Sequence, residues 1–167
     1  RKSAHYLINL QNPIHGTWQA GDDSLYRQTR AQDVSKIARF FLGHDDPLIE
    51  WSYSLGENGA PPSDYTSYAY DSVAKSTLRS NWTENAVAMH IEADGGFMSH
   101  SHNDDLAINL IAYGTPLIVN TPKYLYTGDQ RIIDWQTSTR AHSTIEINNT
   151  TQKGQLTGKG LTAEPFG

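Results

Sequence analysis

The chain contains no cysteine, which excludes a disulfide framework and a thiolate metal site and leaves the redox compartment open. No apolar run approaches the ~20 residues of a membrane span. The opening Arg1-Lys2-Ser3-Ala4-His5 does not lead into a signal-peptide core. Basic residues are few and scattered: 13 Lys and Arg against 18 Asp and Glu give a net charge of −5, without a basic cluster. Nucleic acid is therefore not the expected partner. An anionic polysaccharide stays compatible, because a few local Arg and Lys residues serve a pocket inside an acidic protein. The sequence also begins without Met, and it reads as a piece of a longer product whose export signal, if any, lies upstream.

What is present suits one domain's worth of core. A chain of 167 residues buries roughly 70% of its extended surface on folding. Only 37% of residues are hydrophobic, while 9 Tyr and 4 Trp put much of the apolar area on side chains with a polar tip. Residues 1–56 read mostly helical: Val34, Ile37, Ala38, Phe41 and Leu42 recur at helical spacing within Ala31 to Leu42, and Gly43 follows as a stop. Asp45-Asp46-Pro47 restarts a second short helix over Leu48 to Tyr53, with Pro at a first-turn position. Gln11 to Ser24 is turn-rich and expected to be irregular.

The stretch Gly56 to Pro62 holds two glycines and two prolines and marks the boundary between 1–56 and 57–167. Beyond it the periodicity changes. Ala86 to Glu92, Ala107 to Tyr113, Pro116 to Asn120 and Ser143 to Asn148 read as strands separated by turns, which argues for a mainly β domain, an antiparallel sandwich or barrel.

The densest chemistry lies in His100-Ser101-His102-Asn103-Asp104-Asp105. On an extended strand, residues two apart share a face, so His100, His102 and Asp104 line one surface, with the two imidazole-bearing Cα atoms about 7 Å apart. His142 follows after Arg140-Ala141. The isolated His5, His15, His44 and His90 are read as structural or surface residues.

These segments carry a resemblance. His100-Ser101-His102-Asn103-Asp104-Asp105-Leu106, the run Tyr113 to Tyr126, and Ser138-Thr139-Arg140-Ala141-His142-Ser143-Thr144 resemble, in order, the HxHxDxL strand, the G-x-P-L-L-V-D-x-G-x-Y-x-Y strand and loop, and the A-H-N-T segment of heparinase II/III-like polysaccharide lyases. Ser76 to Trp82 resembles the family's G-Y-x-V-x-R-x-x-W strand. The resemblance implies an antiparallel β-sandwich preceded by the last short helices of an (α/α) toroid, with substrate in the cleft between them and a periplasmic or extracellular location. It also implies a divalent metal, zinc in the family, at positions matching His102, Asn120 and His142. Asn120 stands where the family pattern has Asp, which removes a charge and a strong oxygen ligand. Pro122 stands for Gly and Ser143 for Asn.

The implied reaction is β-elimination on a uronic-acid polysaccharide such as heparin, heparan sulfate or alginate. A base takes the C5 proton, the neighbouring carboxylate is neutralised, and an acid protonates the leaving oxygen. By the resemblance His100 points into the cleft as base or stabiliser, for which a pKa near neutrality suits it, while the acid and the carboxylate neutraliser come from the toroid. Tyr124, Tyr126 and Arg140 are the candidate substrate contacts. Two other readings compete: a cupin-like metal oxygenase, which uses HxH and a later His but wants a Glu that Asp104-Asp105 do not supply, and a sandwich that only binds carbohydrate or props a neighbouring domain.

Overall fold

The computed structural model describes residues 2–18, 31–93, 102–121 and 125–152. Three helices come first: α1 (Lys2–Asn9), α2 (Ala31–Leu42) and α3 (Pro47–Tyr53). The Asp46 side chain accepts from the Ile49 backbone N–H and Pro47 takes the first helical position, where its missing N–H costs nothing. α2 covers the residues its spacing predicts but turns a different side inward. Ser35 and Ala38 are buried, whereas Ile37, Phe40 and Phe41 are 62%, 83% and 75% exposed. The inward side carries a small polar contact: Ser35 Oγ donates to Ser52 Oγ at 2.7 Å and Ser52 Oγ to Gln11 Oε1 at 3.3 Å. Ala4, Ile8, Ala38, Leu48, Ile49 and Trp51 form the core of this helical layer, and Trp82 packs against it.

The sheet is a five-stranded antiparallel meander in the order β1 (Tyr68–Tyr70), β2 (Lys75–Arg79), β3 (Ala88–Glu92), β4 (Ala107–Ala112) and β5 (Thr115–Ile118). Tyr113 and Gly114, at φ 52° and 74°, close the β4–β5 hairpin as a two-residue turn whose twist matches the strands. The register aligns Thr77 with His90 and His90 with Asn109, and all three are buried. A polar row thus crosses the inner face of three strands and ends at Asn109. Alongside it Trp18, Ala88 and Ile111 form a second apolar cluster. This is the mainly β, antiparallel architecture that the alternating patterns predict, present among the described residues as one sheet.

Helical layer and sheet are joined by Arg79. Its Nη2 donates to the backbone oxygens of Asn9 at 2.7 Å and Gln11 at 3.0 Å, and its guanidinium lies 4.1 Å over the Trp82 ring. Asn9 Nδ2 in turn donates to the hydroxyls of Tyr65 and Tyr70, each at 3.1 Å.

Two elements depart from expectation. Ser143 to Asn148 is not a strand: it runs as bends and a turn, with one isolated bridge between Ile147 and Thr150. Asn148 and Asn149 both adopt φ 54°, a left-handed pair that Asn tolerates, and this reverses the chain before a ladder can form. Conversely, a helix unforeseen in the sequence, α4 (Gln130–Gln136), forms behind Asp129, whose side chain accepts from the Arg131 N–H as N-cap.

Candidate metal centre

Three segments without regular structure converge beyond the end of the polar row. They are the approach to β4 (His102 to Leu106), the exit of β5 (Val119 to Thr121) and the turn that carries His142. Backbone contacts lock them. Asn103 N donates to Thr137 O at 3.1 Å and Thr139 Oγ1 donates to Asn103 O at 2.7 Å. Ile108 N donates to Ser143 O at 3.0 Å, and Ser143 Oγ donates to Val119 O at 3.0 Å.

His102, Asp104, Asn120 and His142 are buried at the point of convergence. The two imidazoles have ring centroids 5.0 Å apart, and one ligand atom from each of His102, Asp104 and His142 lies within 4.8 Å of the others. Asn120 sits among them. Its backbone N–H donates to Asn109 Oδ1 at 2.9 Å, which ties the cluster to the polar row of the sheet. Its Nδ2 donates to Asp104 Oδ2 at 3.0 Å, and its Oδ1 accepts from Thr121 N at 3.1 Å and pairs with His142 Nδ1 at 2.8 Å. His142 is held below the usual imidazole pKa, chiefly by burial; Asp104 opposes that shift, His102 adds to it, and the Gln136 backbone carbonyl opposes it.

This donor set fits a divalent cation. Two imidazoles and one carboxylate are a ligand combination that zinc accepts, with a fourth position left over. His142 Nε2 is a buried nitrogen with no hydrogen-bond partner among the described residues, and that is the atom a cation would use once Nδ1 is engaged by Asn120.

The structure therefore brings together His102, Asn120 and His142, and adds Asp104, which the sequence signals by its two-residue register with His102 and by the Asp of the HxHxDxL pattern. His100 and Tyr124 lie outside the described residues. Tyr126 is exposed. Arg140 is engaged by Glu146, with Nε 2.9 Å from both carboxylate oxygens. The isolated histidines have local partners: His5 bonds Asp46 at 2.8 Å, His15 bonds Glu84 at 3.2 Å, His44 meets Arg39 at 2.6 Å, and His90 pairs with Thr77 at 3.1 Å. The open depression of about 600 Å³ beside Ile37, Phe40, Phe41 and Tyr53 on α2 holds no comparable cluster.

Comparison with known proteins follows the same line. Residues 86–165 match the family model described as heparinase II/III-like, C-terminal. The chain is 26% identical over 147 residues to a heparin-sulfate lyase of Pedobacter heparinus, covering 86% of this chain and 22% of that protein. Among solved structures it resembles the heparan sulfate lyase of Pedobacter heparinus with a TM-score of 0.74 and 26% identity, over 87% of this chain and 23% of that one. It also resembles a heparinase III with a TM-score of 0.77 and 20% identity, over 90% of this chain and 23% of the other. The chain thus spans less than a quarter of the length of these relatives. Sequence match and fold thus agree in likening this chain to the C-terminal region of heparinase II/III-like proteins.

Proposed function

We propose that this chain is the C-terminal part of a polysaccharide lyase that cleaves a uronic-acid-containing polysaccharide, of the heparin or heparan sulfate type, by β-elimination. One observation carries the reading: the likeness to a heparin-sulfate lyase extends over 86% of the chain. The family-model match over residues 86–165 includes the loops that build the buried cluster.

In this reading the sandwich side of the cleft supplies His100, placed two residues before His102. A neutral imidazole there accepts the C5 proton, or donates to the charge that develops on the uronate carboxylate. Tyr124, Tyr126 and Arg140 are substrate contacts. The acid for the leaving oxygen and the neutraliser of the carboxylate come from a preceding helical toroid, so the described chain alone is one wall of the site. His102, Asp104 and His142 would hold a divalent cation, zinc by resemblance, whose charge would tie the three loops together. The location is periplasmic or extracellular, where the polymer is.

The test is ultraviolet absorbance of the unsaturated product, followed with the full-length protein, a panel of uronic-acid polysaccharides, and the variant His100→Ala. Absorbance that grows on heparan sulfate and collapses in the variant supports the reading. Silence on every uronide, with divalent metal added, leaves a carbohydrate-binding or structural module instead.

A further inference from the structure

We propose that Asp104, not Asn120, supplies the anionic ligand of a zinc-type cation held with His102 and His142, and that Asn120 is the positioning residue that orients both. This rests on the cation reading above and is independent of the lyase reading.

The first step is the saturation of Asn120. Thr121 N–H is a donor, so the side-chain atom 3.1 Å from it is the amide oxygen. Asp104 is an acceptor when ionised, so the atom 3.0 Å from its Oδ2 is the amide nitrogen. The amide orientation thus follows from its partners. With Thr121 N–H and His142 Nδ1 both on Oδ1, the two lone-pair directions of that oxygen are used. No strong ligand atom is left on Asn120.

The second step fixes His142. Facing an amide oxygen, Nδ1 carries the proton, so Nε2 carries the lone pair. Nε2 is buried and makes no hydrogen bond among the described residues. A histidine whose far nitrogen is anchored and whose near nitrogen is bare is the arrangement of a metal ligand with its supporting partner.

The third step is the charge of Asp104. The residue is buried, and among the described residues it forms no ion pair with Lys or Arg; its contacts are the Asn120 amide and His142 Nδ1 at 3.8 Å. A buried carboxylate demands compensation. Asn120 occupies one oxygen, Oδ2, and leaves Oδ1. One ligand atom from each of His102, Asp104 and His142 already lies within 4.8 Å of the others; bond lengths of about 2.0–2.2 Å call for separations of roughly 3.3 Å, a tightening of up to ~1.5 Å. With Asn120 neutral, Asp104 is the carboxylate of the set, two residues beyond His102.

The experiment uses the full-length protein stripped with chelator and titrated with Zn²⁺ by calorimetry and with Co²⁺ by visible absorbance. One site per chain is expected. Asp104→Asn should weaken binding 100-fold or more. Asn120→Ala should weaken it about 10- to 100-fold, the range for a supporting partner, with the Co²⁺ spectrum of the wild type retained. Thermal melts of the metal-free variants separate loss of a ligand from loss of fold. A wild-type crystal soaked in zinc decides independently of any variant: anomalous density with an Asp104 oxygen at about 2.0–2.2 Å supports the proposal. Density with Asn120 Oδ1 at that distance and Asp104 beyond about 3 Å overturns it. So does an absence of Zn²⁺ and Co²⁺ binding, which would make the cluster a proton-filled network turned toward the Gln136 carbonyl. None of these readouts depends on lyase activity.

Discussion

The indole of Trp18 lies parallel to the imidazole of His90, with ring centroids 5.5 Å apart and an interplanar angle of 6°. His90 is at the centre of the polar row of the sheet, and the stack seals it from water. Its pKa is pushed down from 6.5 to about 3, first by burial, then by the Lys75 ammonium, with the Arg79 guanidinium adding to it and a Ser76 backbone hydrogen bond opposing. The folded-state value lies below the unfolded one, so between about 3 and 6.5 the unfolded chain binds more protons than the folded chain. Stability is fully present above pH 6.5 and falls as pH drops through that window, by up to about 5 kcal/mol if the whole gap is titrated. Thermal melts from pH 7.5 to 4 should show this decline, and His90→Gln, which cannot titrate, should flatten it while starting from a lower stability. A wild-type curve flat to pH 4 would contradict the assignment.

The sequence made the fold readable where local pattern and tertiary environment agree. Asp46-Pro47 starts α3 because capping is a local event, and the alternation in Ala88 to Glu92 matches a strand with one face inward. It misled where they diverge. Ile145 and Ile147 have strand character but no strand beside them among the described residues, and Asn148 and Asn149 turn the chain back. In α2 the buried positions among the described residues are Ser35 and Ala38, and the Ser35–Ser52 hydrogen bond is invisible to hydrophobic periodicity. For the site, His102 and Asp104 were legible from spacing and His142 from resemblance. The role of Asn120 was not, since it depends on Asn109 at the β4 end of the polar row and on an amide orientation that only three dimensions define.

Arg79 holds two backbone carbonyls and a tryptophan face at once, and burial lowers its pKa to about 10, which still leaves it charged at neutral pH. Arg79→Lys keeps the charge but replaces a planar fork with a point donor that cannot stack and bridge together. A loss of about 1–3 kcal/mol is expected from the unmade hydrogen bonds, read as a lower urea midpoint at unchanged slope. Equal midpoints would mean that Arg79 does not join the layers.

Gly59 closes the proline-rich stretch against α3. A Cβ there would meet the Pro47 carbonyl oxygen and the Trp51 backbone nitrogen, with φ at +78°; Gly59 also precedes Ala60, whose N–H donates to the Pro47 oxygen at 3.0 Å. Gly43 has a similar φ of +82° but open space around it. Gly43→Ala should therefore cost only the ~1 kcal/mol of left-handed strain, while Gly59→Ala should cost ~2–4 kcal/mol because backbone must move. Chemical denaturation of the pair separates steric from conformational cost, and equal losses would refute the close approach.

Arg140 distinguishes stability from substrate binding. Its side chain is 57% exposed and its Nε reaches both Glu146 oxygens, an ion pair of the surface kind that contributes less than about 1 kcal/mol. Glu146→Gln and Arg140→Ala should therefore leave the melting temperature within a few degrees of wild type. If Arg140 also meets a substrate carboxylate, as proposed, Arg140→Ala should raise KM about 10-fold or more with kcat little changed, the pattern of an interaction equal in ground and transition states. Glu146→Gln releases the guanidinium for substrate and should not raise KM. Initial rates on heparan sulfate with the full-length protein decide it: unchanged KM in Arg140→Ala would reduce this arginine to a partner of Glu146 and move carboxylate recognition to the opposite wall of the cleft.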